Sequence, residues 1–305
     1  MFHRILVPTD FSAPSDAALE LARVLGHSGH GSLHLLHVTT EVLASPHAKA
    51  SRNDRPPAPL KQLRDCLTGE DRALRPTVRL VERADPAAAI VSYAQASGID
   101  LIVMGTHGRD GVAHLLMGSV AEKVVRTAPC PVLTVRGQPR GARTGFTRIL
   151  VPTDFSHAAD AALDCARLLA ARFGVPVHLL HVLEDPPIEG PFGSEVFVSE
   201  SPEIRAARLK DARERLSHRV SARDRQANTV TTEVIFGPTA TTIANYAADN
   251  EFDLIVMGTH GRTGLAHLFM GSVAERVART ATCPVMSTRE LGRTVSRGAD
   301  LTRSA

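Results

Sequence analysis

Short apolar runs alternate with longer amphipathic stretches along almost the whole chain. The run within residues 4–12, RILVPTDFS, is too short for a helix and meets a proline, which predicts a buried strand followed by a turn. Residues 15–25 place Ala and Leu at helical spacing, and residues 32–38 return to a strand pattern. Residues 39–59 are polar and rich in proline, which predicts a long exposed loop.

The rest of the first half continues this alternation. The predicted helices cover residues 60–72, 85–96 and 119–127, and the predicted strands cover residues 77–82, 101–104 and 132–135. Asp85-Pro86 opens the second of these helices with an N-cap residue followed by proline, an arrangement typical of a helix start. The first half is therefore predicted as five strands joined by four helices.

The same pattern then starts again. RILVPTDFS recurs identically at residues 148–156 and HLLHV recurs at residues 178–182, and the last strand is predicted at residues 285–288. The second half is longer after its second strand, and we place the extra length in a loop and a longer helix between residues 184 and 225. The repeat predicts four segments: a first domain at 1–136, a basic linker at 137–145, a second domain at 146–289 and a polar tail at 290–305.

Strands that alternate with helices predict an α/β fold, because parallel strands need crossover connections that cover both faces of the sheet with helices. Ligands of such open sheets bind beyond the carboxyl ends of the strands. The polar and glycine motifs of both halves follow strands at this edge: Asp10, Val38 and Gly105, and their counterparts Asp154, Val182 and Gly258.

Composition narrows the class of protein. The chain has 305 residues, 43% of them apolar and 22% charged, which is typical of a soluble globular protein. Its net charge of +3 comes without a basic stripe interleaved with aromatic residues, so we expect no nucleic-acid surface. The first strand follows Met1 closely and no apolar run approaches a bilayer span, so we expect no signal peptide and no membrane partner. Four cysteines without a C-x-x-C pair predict reduced thiols in the cytoplasm, with Cys130 and Cys283 buried.

The stretch DLIVMGTHGR occurs at residues 100–109 and again at residues 253–262, and each copy is followed by MGSVAE. A strand, a glycine loop and a helix start together favour a phosphate site, because the first N–H groups of a helix attract anions. The alternative is a strand-to-helix loop that needs glycine only for its turns. The loop has neither the lysine of a P-loop nor the G-x-G-x-x-G of a dinucleotide site. Arg109 and Arg262 are candidate phosphate contacts or solvated side chains.

Asp10 and Asp154 are interpreted in two ways. Each carboxylate is placed to accept hydrogen bonds from a ribose or an adenine amine, or to make the turn before the next helix. The histidines of HLLHV suggest a metal site, but residues three apart in a strand point to opposite faces. We therefore predict that these histidines are packed or lie at the edge of the sheet, and that no protein side chain binds a metal.

Together these motifs resemble the universal stress protein family in its tandem form. The signature G-x2-G-x9-G-[ST] is complete at residues 105–119 and 258–272, and VPTD opens both halves. The resemblance implies two Rossmann-like domains (adenine nucleotide α-hydrolase-like), each with a five-stranded parallel sheet in the order 3-2-1-4-5. It also implies that both halves bind ATP, with Mg²⁺ held by the phosphates.

The resemblance further implies the residues that contact the nucleotide. In the first half they are Pro8, Thr9, Asp10, Val38, Met104, Gly105, Gly108, Gly118, Ser119 and Val120. In the second half they are Pro152, Thr153, Asp154, Val182, Met257, Gly258, Gly261, Gly271, Ser272 and Val273. The glycines, Ser119, Val120 and their counterparts are expected at the phosphates, and the VPTD residues with Val38 and Val182 at the nucleoside.

The functional expectation is a cytoplasmic, nucleotide-dependent regulator of the stress response that acts on an unidentified protein partner. The resemblance implies that the two halves pair through their last strands, and a homodimer is a further expectation. Two alternatives stay open at this point. One is a slow ATPase or self-phosphorylating enzyme, and the other is an interaction protein whose nucleotide sites are relics.

Overall fold

A computed structural model describes residues 2–27, 31–40, 59–106, 117–137, 145–185, 187–189, 195–197, 201–227, 229–259 and 271–288. The chain folds into two compact units. One is formed by the first half up to Thr147 with Ala278–Met286, and the other by Arg148–Val277 with the described residues from Ser287. Most of the predicted linker and exposed loop, and the whole predicted tail, lie outside the described residues.

The first half confirms the predicted α/β fold. Its elements are β1 (Arg4–Pro8), α1 (Ala13–His27), β2 (Ser32–Thr39), α2 (Pro59–Asp65), a 3₁₀ helix (Gly69–Leu74), β3 (Thr77–Glu82), α3 (Pro86–Ala96), β4 (Leu101–Gly105), α4 (Ser119–Thr127) and β5 (Val132–Val135). The strands lie in the order β3-β2-β1-β4-β5, and every neighbouring pair is parallel. The central strands are buried on both faces, which is why they are continuous apolar runs in the sequence.

The second half repeats this architecture with insertions. Its elements are β6 (Ile149–Pro152), α5 (His157–Phe173), β7 (Val177–Leu183), β8 (Pro187–Glu189), β9 (Glu195–Phe197), α6 (Pro202–Arg219), α7 (Ala222–Ala227), β10 (Val230–Phe236), α8 (Thr239–Asp249), β11 (Leu254–Gly258), α9 (Ser272–Thr280) and β12 (Val285–Thr288). The strand order is β10-β7-β6-β11-β12, again 3-2-1-4-5. The short β8 and β9 pair antiparallel apart from this sheet.

The prediction of one helix over residues 60–72 is wrong. The helix ends at Asp65, and a separate 3₁₀ helix begins at Gly69. Thr68 caps that second helix, because the carboxylate of Asp71 accepts its N–H at 2.7 Å. Arg23 of α1 binds the same carboxylate at 2.8 and 2.9 Å, so the tertiary contact favours the break over a continuous helix.

The cysteines are structural, as predicted for Cys130 and Cys283. All four are free thiols, and only Cys66 is partly accessible. Burial raises the pKa of Cys130 and of Cys165 to about 12, so neither is a thiolate at neutral pH. Within the described part of the chain, no helix is both long enough and apolar enough to cross a membrane.

Candidate functional site

The predicted ligand residues of each half lie where neighbouring strands end. In the first half β1 lies between β2 and β4, so the carboxyl ends of these three strands are adjacent. The N–H of Thr9 donates to the carbonyl oxygen of Leu36 at 2.8 Å, one residue beyond β1. Thr153 makes the equivalent bond to Leu180, also at 2.8 Å. The chain therefore leaves the sheet towards Asp10 or Asp154 at the same point in both halves.

Asp10 is held by the turn that leads into α1. Its Oδ1 accepts hydrogen bonds from the N–H of Ser12 at 3.1 Å, from Ser12 Oγ at 2.5 Å and from Ser15 Oγ at 2.6 Å. Burial opposes ionisation, but the bonds from Ser12 and Ser15 outweigh it and lower the pKa of Asp10 below 3.8. Asp154 likewise accepts the N–H of Ser156 at 3.0 Å. Both aspartates make the turn that the sequence suggested as one interpretation, and the Asp10 carboxylate is charged at neutral pH.

A phenylalanine with left-handed backbone geometry follows each aspartate. The φ angle is 64° at Phe11 and 68° at Phe155, which a bulky residue adopts only where its surroundings enforce it. The second histidine of HLLHV provides that support. His37 Nδ1 lies 2.7 Å from the carbonyl oxygen of Thr9, and its ring centroid lies 4.6 Å from that of Phe11. His181 repeats both contacts at 2.7 and 4.4 Å. These two histidines therefore stabilise the loops that contain Asp10–Phe11 and Asp154–Phe155, called the aspartate loops below.

The first histidine of each HLLHV motif is also packed. His34 Nδ1 lies 2.8 Å from the Tyr93 hydroxyl, and His178 lies between Thr231 at 2.7 Å and Tyr246 at 2.9 Å. Burial lowers the pKa of both histidines. The described residues contain no group of three or more His, Cys, Asp or Glu side chains that could hold a metal ion.

The first glycine of each glycine loop is required by packing against a helix. A Cβ added to Gly105 would lie 2.8 Å from Pro14 Cβ and 2.9 Å from the Pro14 carbonyl carbon, at the start of α1. At Gly258 it would lie 2.8 Å from the carbonyl carbon of Ala158 in α5. Neither glycine has a positive φ angle. Close approach of a helix therefore explains both glycines, in addition to any role beside a ligand.

The third glycine closes the base of the loop and begins a helix. The N–H of Gly118 donates to the carbonyl oxygen of Thr106 at 2.6 Å, and Gly271 donates to Thr259 at 2.7 Å. Gly118 is the N-cap of α4 and has no side chain to bond to the first turn. The N–H groups that follow it, on Ser119 and Val120, have no intrahelical acceptors, which suits them to bind an anion.

In the second half these groups surround one cavity of about 560 Å³. Sites for small molecules and cofactors usually measure roughly 300–1,000 Å³, so this cavity is large enough for a mononucleotide. Predicted ligand residues from three strand ends and one helix start line it together: Pro152, Thr153, Asp154, Val182, Met257, Gly258, Gly271, Ser272 and Val273.

Comparison with known proteins gives the same assignment for both halves. A family model described as the Universal stress protein family matches residues 1–136 and again residues 145–289. The chain belongs to the universal stress protein family. A universal stress protein of Mycolicibacterium smegmatis is 31% identical over 93% of this chain and 96% of its own length. One from Methanocaldococcus jannaschii is 32% identical over 48% of this chain and 84% of its own length.

Solved structures of universal stress proteins share the fold. One from Archaeoglobus fulgidus superposes with a TM-score of 0.62 at 22% identity, covering 94% of this chain and 98% of that one. One described as a putative universal stress protein from Pseudomonas aeruginosa gives a TM-score of 0.66 at 19% identity, covering 94% of this chain and 93% of that one. At these identities the likeness concerns the tandem α/β architecture alone.

The predicted ligand residues fall into two groups, according to whether the structure describes them. Gly108, Arg109, Gly261 and Arg262 lie outside the described residues. The others of the first half lie at the strand ends and helix start already described: Pro8, Thr9, Asp10 and Val38 at β1 and β2, Met104 and Gly105 in β4, and Gly118, Ser119 and Val120 at α4.

The residues that line the second cavity and are absent from our prediction include Glu184, Arg208, Thr239 and Ile243. Glu184 follows β7, Arg208 lies on α6, and Thr239 and Ile243 lie on α8. The extra length between β7 and β10 was a sequence signal for the region of Glu184 and Arg208, and no such signal pointed to Thr239 or Ile243. That signal predicted a longer helix, but it did not indicate which turn of the helix reaches the cavity.

Proposed function

We propose that this protein is a cytoplasmic ATP-binding member of the universal stress protein family that acts in the stress response as a nucleotide-dependent regulator. Each half provides one nucleotide site. The phosphates of ATP carry Mg²⁺, and the protein supplies backbone N–H groups and the aspartate loop. The free thiols at all four cysteines agree with a reducing compartment.

The cavity of the second half carries this proposal. It is lined by Ser272 and Val273 of the α9 start on one side and by the Pro152–Thr153–Asp154 loop on the other. An anion fits the first side, since a helix start offers N–H groups and the positive end of the helix dipole. A ribose or adenine amine fits the second side, since Asp154 is a hydrogen-bond acceptor when ionised. A mononucleotide has both kinds of group.

Regulation follows if the nucleotide changes a surface that a partner protein contacts. The segment between Thr106 and Gly118 is tied at its base by their hydrogen bond, and the same is true between Thr259 and Gly271. Phosphates bound at these bases would contact both ends of each segment. Pairing of the two halves through their last strands, and a homodimer, remain predictions for a solution measurement of mass and shape.

The first test is calorimetric titration of ATP with Mg²⁺ into the full chain. We expect two sites in the wild-type chain, one in each single variant, Gly118→Val or Gly271→Val, and none in the double variant, because a side chain there obstructs the helix start. Gly69→Val is the matched control, because nothing lies within 4 Å of a Cβ at that glycine. Unchanged affinity in the double variant would contradict the site assignment.

Two further measurements separate the alternatives. Mass spectrometry of the denatured, freshly purified chain should detect an adenine nucleotide, and its absence together with no ATP binding would favour relic sites. ATP turnover with Mg²⁺ present should stay at the solution background. Turnover that Asp10→Asn and Asp154→Asn abolish would instead indicate an enzyme.

A further inference from the structure

A charged wall borders the second cavity on the side of β7. Arg208 of α6 is partly buried, and its Nη2 donates to the carbonyl oxygen of Glu184 at 2.8 Å. The Glu184 carboxylate in turn accepts the N–H of Thr239, at the start of α8, at 2.7 Å. All three residues line the cavity. Glu184 thus connects α6 to the start of α8 beside the cavity, with the Arg208 guanidinium next to it.

Among the described residues, the helix that carries Arg208 is longer than its counterpart in the first half. After the second strand, the first half has α2 with seven residues, whereas α6 has 18. Arg205, one turn before Arg208 on the same face of α6, pairs with Asp185 at 3.1 Å and lies 3.7 Å over the Phe236 ring. These contacts fix α6 against β7 and β10, so that Arg208 projects from a supported helix.

The position of Arg208 along the cavity determines which end of a bound nucleotide this side chain would contact. Its partner Glu184 follows β7, whereas Gly271–Val273 follow β11, and β6 lies between these strands. Strands are about 4.8 Å apart, so the two ends of the cavity are separated by roughly 10 Å. A guanidinium beside Glu184 is therefore distant from the helix start that suits the phosphates.

We propose that Arg208 contacts the nucleoside end of a purine nucleotide bound in the second half, and that the carbonyl oxygen of Glu184 holds its guanidinium in place. This inference rests on the proposed function, because it assumes that the phosphates lie at α9. A planar guanidinium lies well against a purine face and donates to purine ring nitrogens.

The test compares Arg208→Met with Arg213→Met in a Gly118→Val chain, so that binding reports on the second site. Arg213 is exposed on the same helix and does not line the cavity, which makes it a control with the same change of charge. Calorimetry with ATP and separately with adenosine should show that Arg208→Met weakens both ligands about tenfold, as expected for loss of a charged donor. Arg213→Met should change either affinity less than twofold.

Each result decides a different point. If the wild-type chain binds no ATP, the proposed function fails before this one is tested. If it binds ATP and Arg208→Met binds both ligands as the wild-type chain does, this inference alone fails. Loss of ATP affinity with adenosine affinity unchanged would overturn the nucleoside contact in favour of a phosphate contact. If Arg208→Met does not fold, Arg208→Ala replaces it, and full affinity for adenosine in that variant would overturn the contact.

Discussion

The two halves reach the same aspartate loop by different means. In the first half the loop is held by hydroxyl groups, since Ser12 and Ser15 both donate to the Asp10 carboxylate. In the second half Ala159 replaces Ser15 in the repeat, and guanidinium groups pack on the loop from α6. Arg215 lies 4.0 Å and Arg219 5.0 Å from the centroid of the Phe155 ring. The two halves thus share the backbone geometry of this loop, but different side chains stabilise it in each half.

An ion pair between two helices also differs between the two halves. An arginine of the first helix binds an aspartate of the short helix before the third strand, as Arg23 with Asp71 and as Arg167 with Asp224. Asp71 receives two bonds from Arg23, and its side chain is 1% exposed. Asp224 receives one from Arg167, and its side chain is 11% exposed. Both halves therefore keep this ion pair, but in the first half it is more buried and has one more hydrogen bond.

The largest expected effect comes from removing these aspartates. Asp71→Ala leaves the Arg23 guanidinium without its buried carboxylate partner at a site where the arginine side chain is only 14% exposed, so the free energy of unfolding should fall by about 3–5 kcal/mol. Asp224→Ala should cost less, about 2 kcal/mol, because Arg167 is 28% exposed and loses one bond. Urea unfolding measures both, and hydrogen exchange assigns the loss to a half.

The control removes an exposed partner of the same arginine. Glu20 pairs with Arg23 at 2.6 Å, but its side chain is 55% exposed. Glu20→Ala should therefore change the free energy of unfolding by less than about 1 kcal/mol. Equal losses of stability from Asp71→Ala and Asp224→Ala would show that the burial of the aspartate does not determine how much each ion pair stabilises the protein.

The glycines at the ends of β4 and β11 should instead behave alike. Gly105→Ala and Gly258→Ala each bring a Cβ within 2.9 Å of backbone atoms at the start of a helix, of Pro14 or Ala158, and backbone cannot rotate away. Each variant should lose about 1–3 kcal/mol in the free energy of unfolding. Thermal and urea unfolding in the absence of nucleotide check this directly.

Gly69→Ala is the control for these variants, because its added Cβ meets nothing within 4 Å. It should leave the free energy of unfolding unchanged or slightly raised. If Gly105→Ala and Gly258→Ala unfold like the wild-type chain and lose only ATP affinity, the packing explanation is wrong and the glycines serve the ligand alone.

Most of the fold could be predicted from the sequence because its signals are local. The bounds of β3, α4, β5 and β12 were predicted to the residue, since each coincides with a change from turn residues to a periodic run. The break between α2 and the 3₁₀ helix was missed, because it depends on Arg23, which is distant in sequence from Asp71. A local pattern carries no information about such a contact.

The candidate site was predicted less completely, for the same reason. The motifs identified the residues at the strand ends. The reason for glycine at position 105 could not be predicted, because it is the close packing of Pro14, which is far from Gly105 in the sequence. The bracing role of His37 and the contribution of Arg208 to the second cavity depend on how helices and strands pack. The repeat showed that these residues recur or differ, but not what they contact.

The smallest expected effect tests the hydroxyl group of Ser15, which Ala159 replaces in the second half. Ser15→Ala removes one donor from the Asp10 carboxylate and should lower the free energy of unfolding by about 1 kcal/mol at pH 7.

The pKa of Asp10 is lowered by folding, so the stability that its ionised form contributes is present above pH 3.8 and is lost as pH falls through the folded pKa. The difference between wild type and Ser15→Ala should therefore shrink as pH falls below 3.8, because the Asp10 carboxyl becomes protonated in both chains. Ser32→Ala is the control, since Ser32 Oγ donates to a neutral carbonyl oxygen of His3 and its loss should not depend on pH in this range. A Ser15→Ala penalty that stays constant from pH 7 to pH 3 would mean that the hydroxyl stabilises the turn without acting on the charge of Asp10.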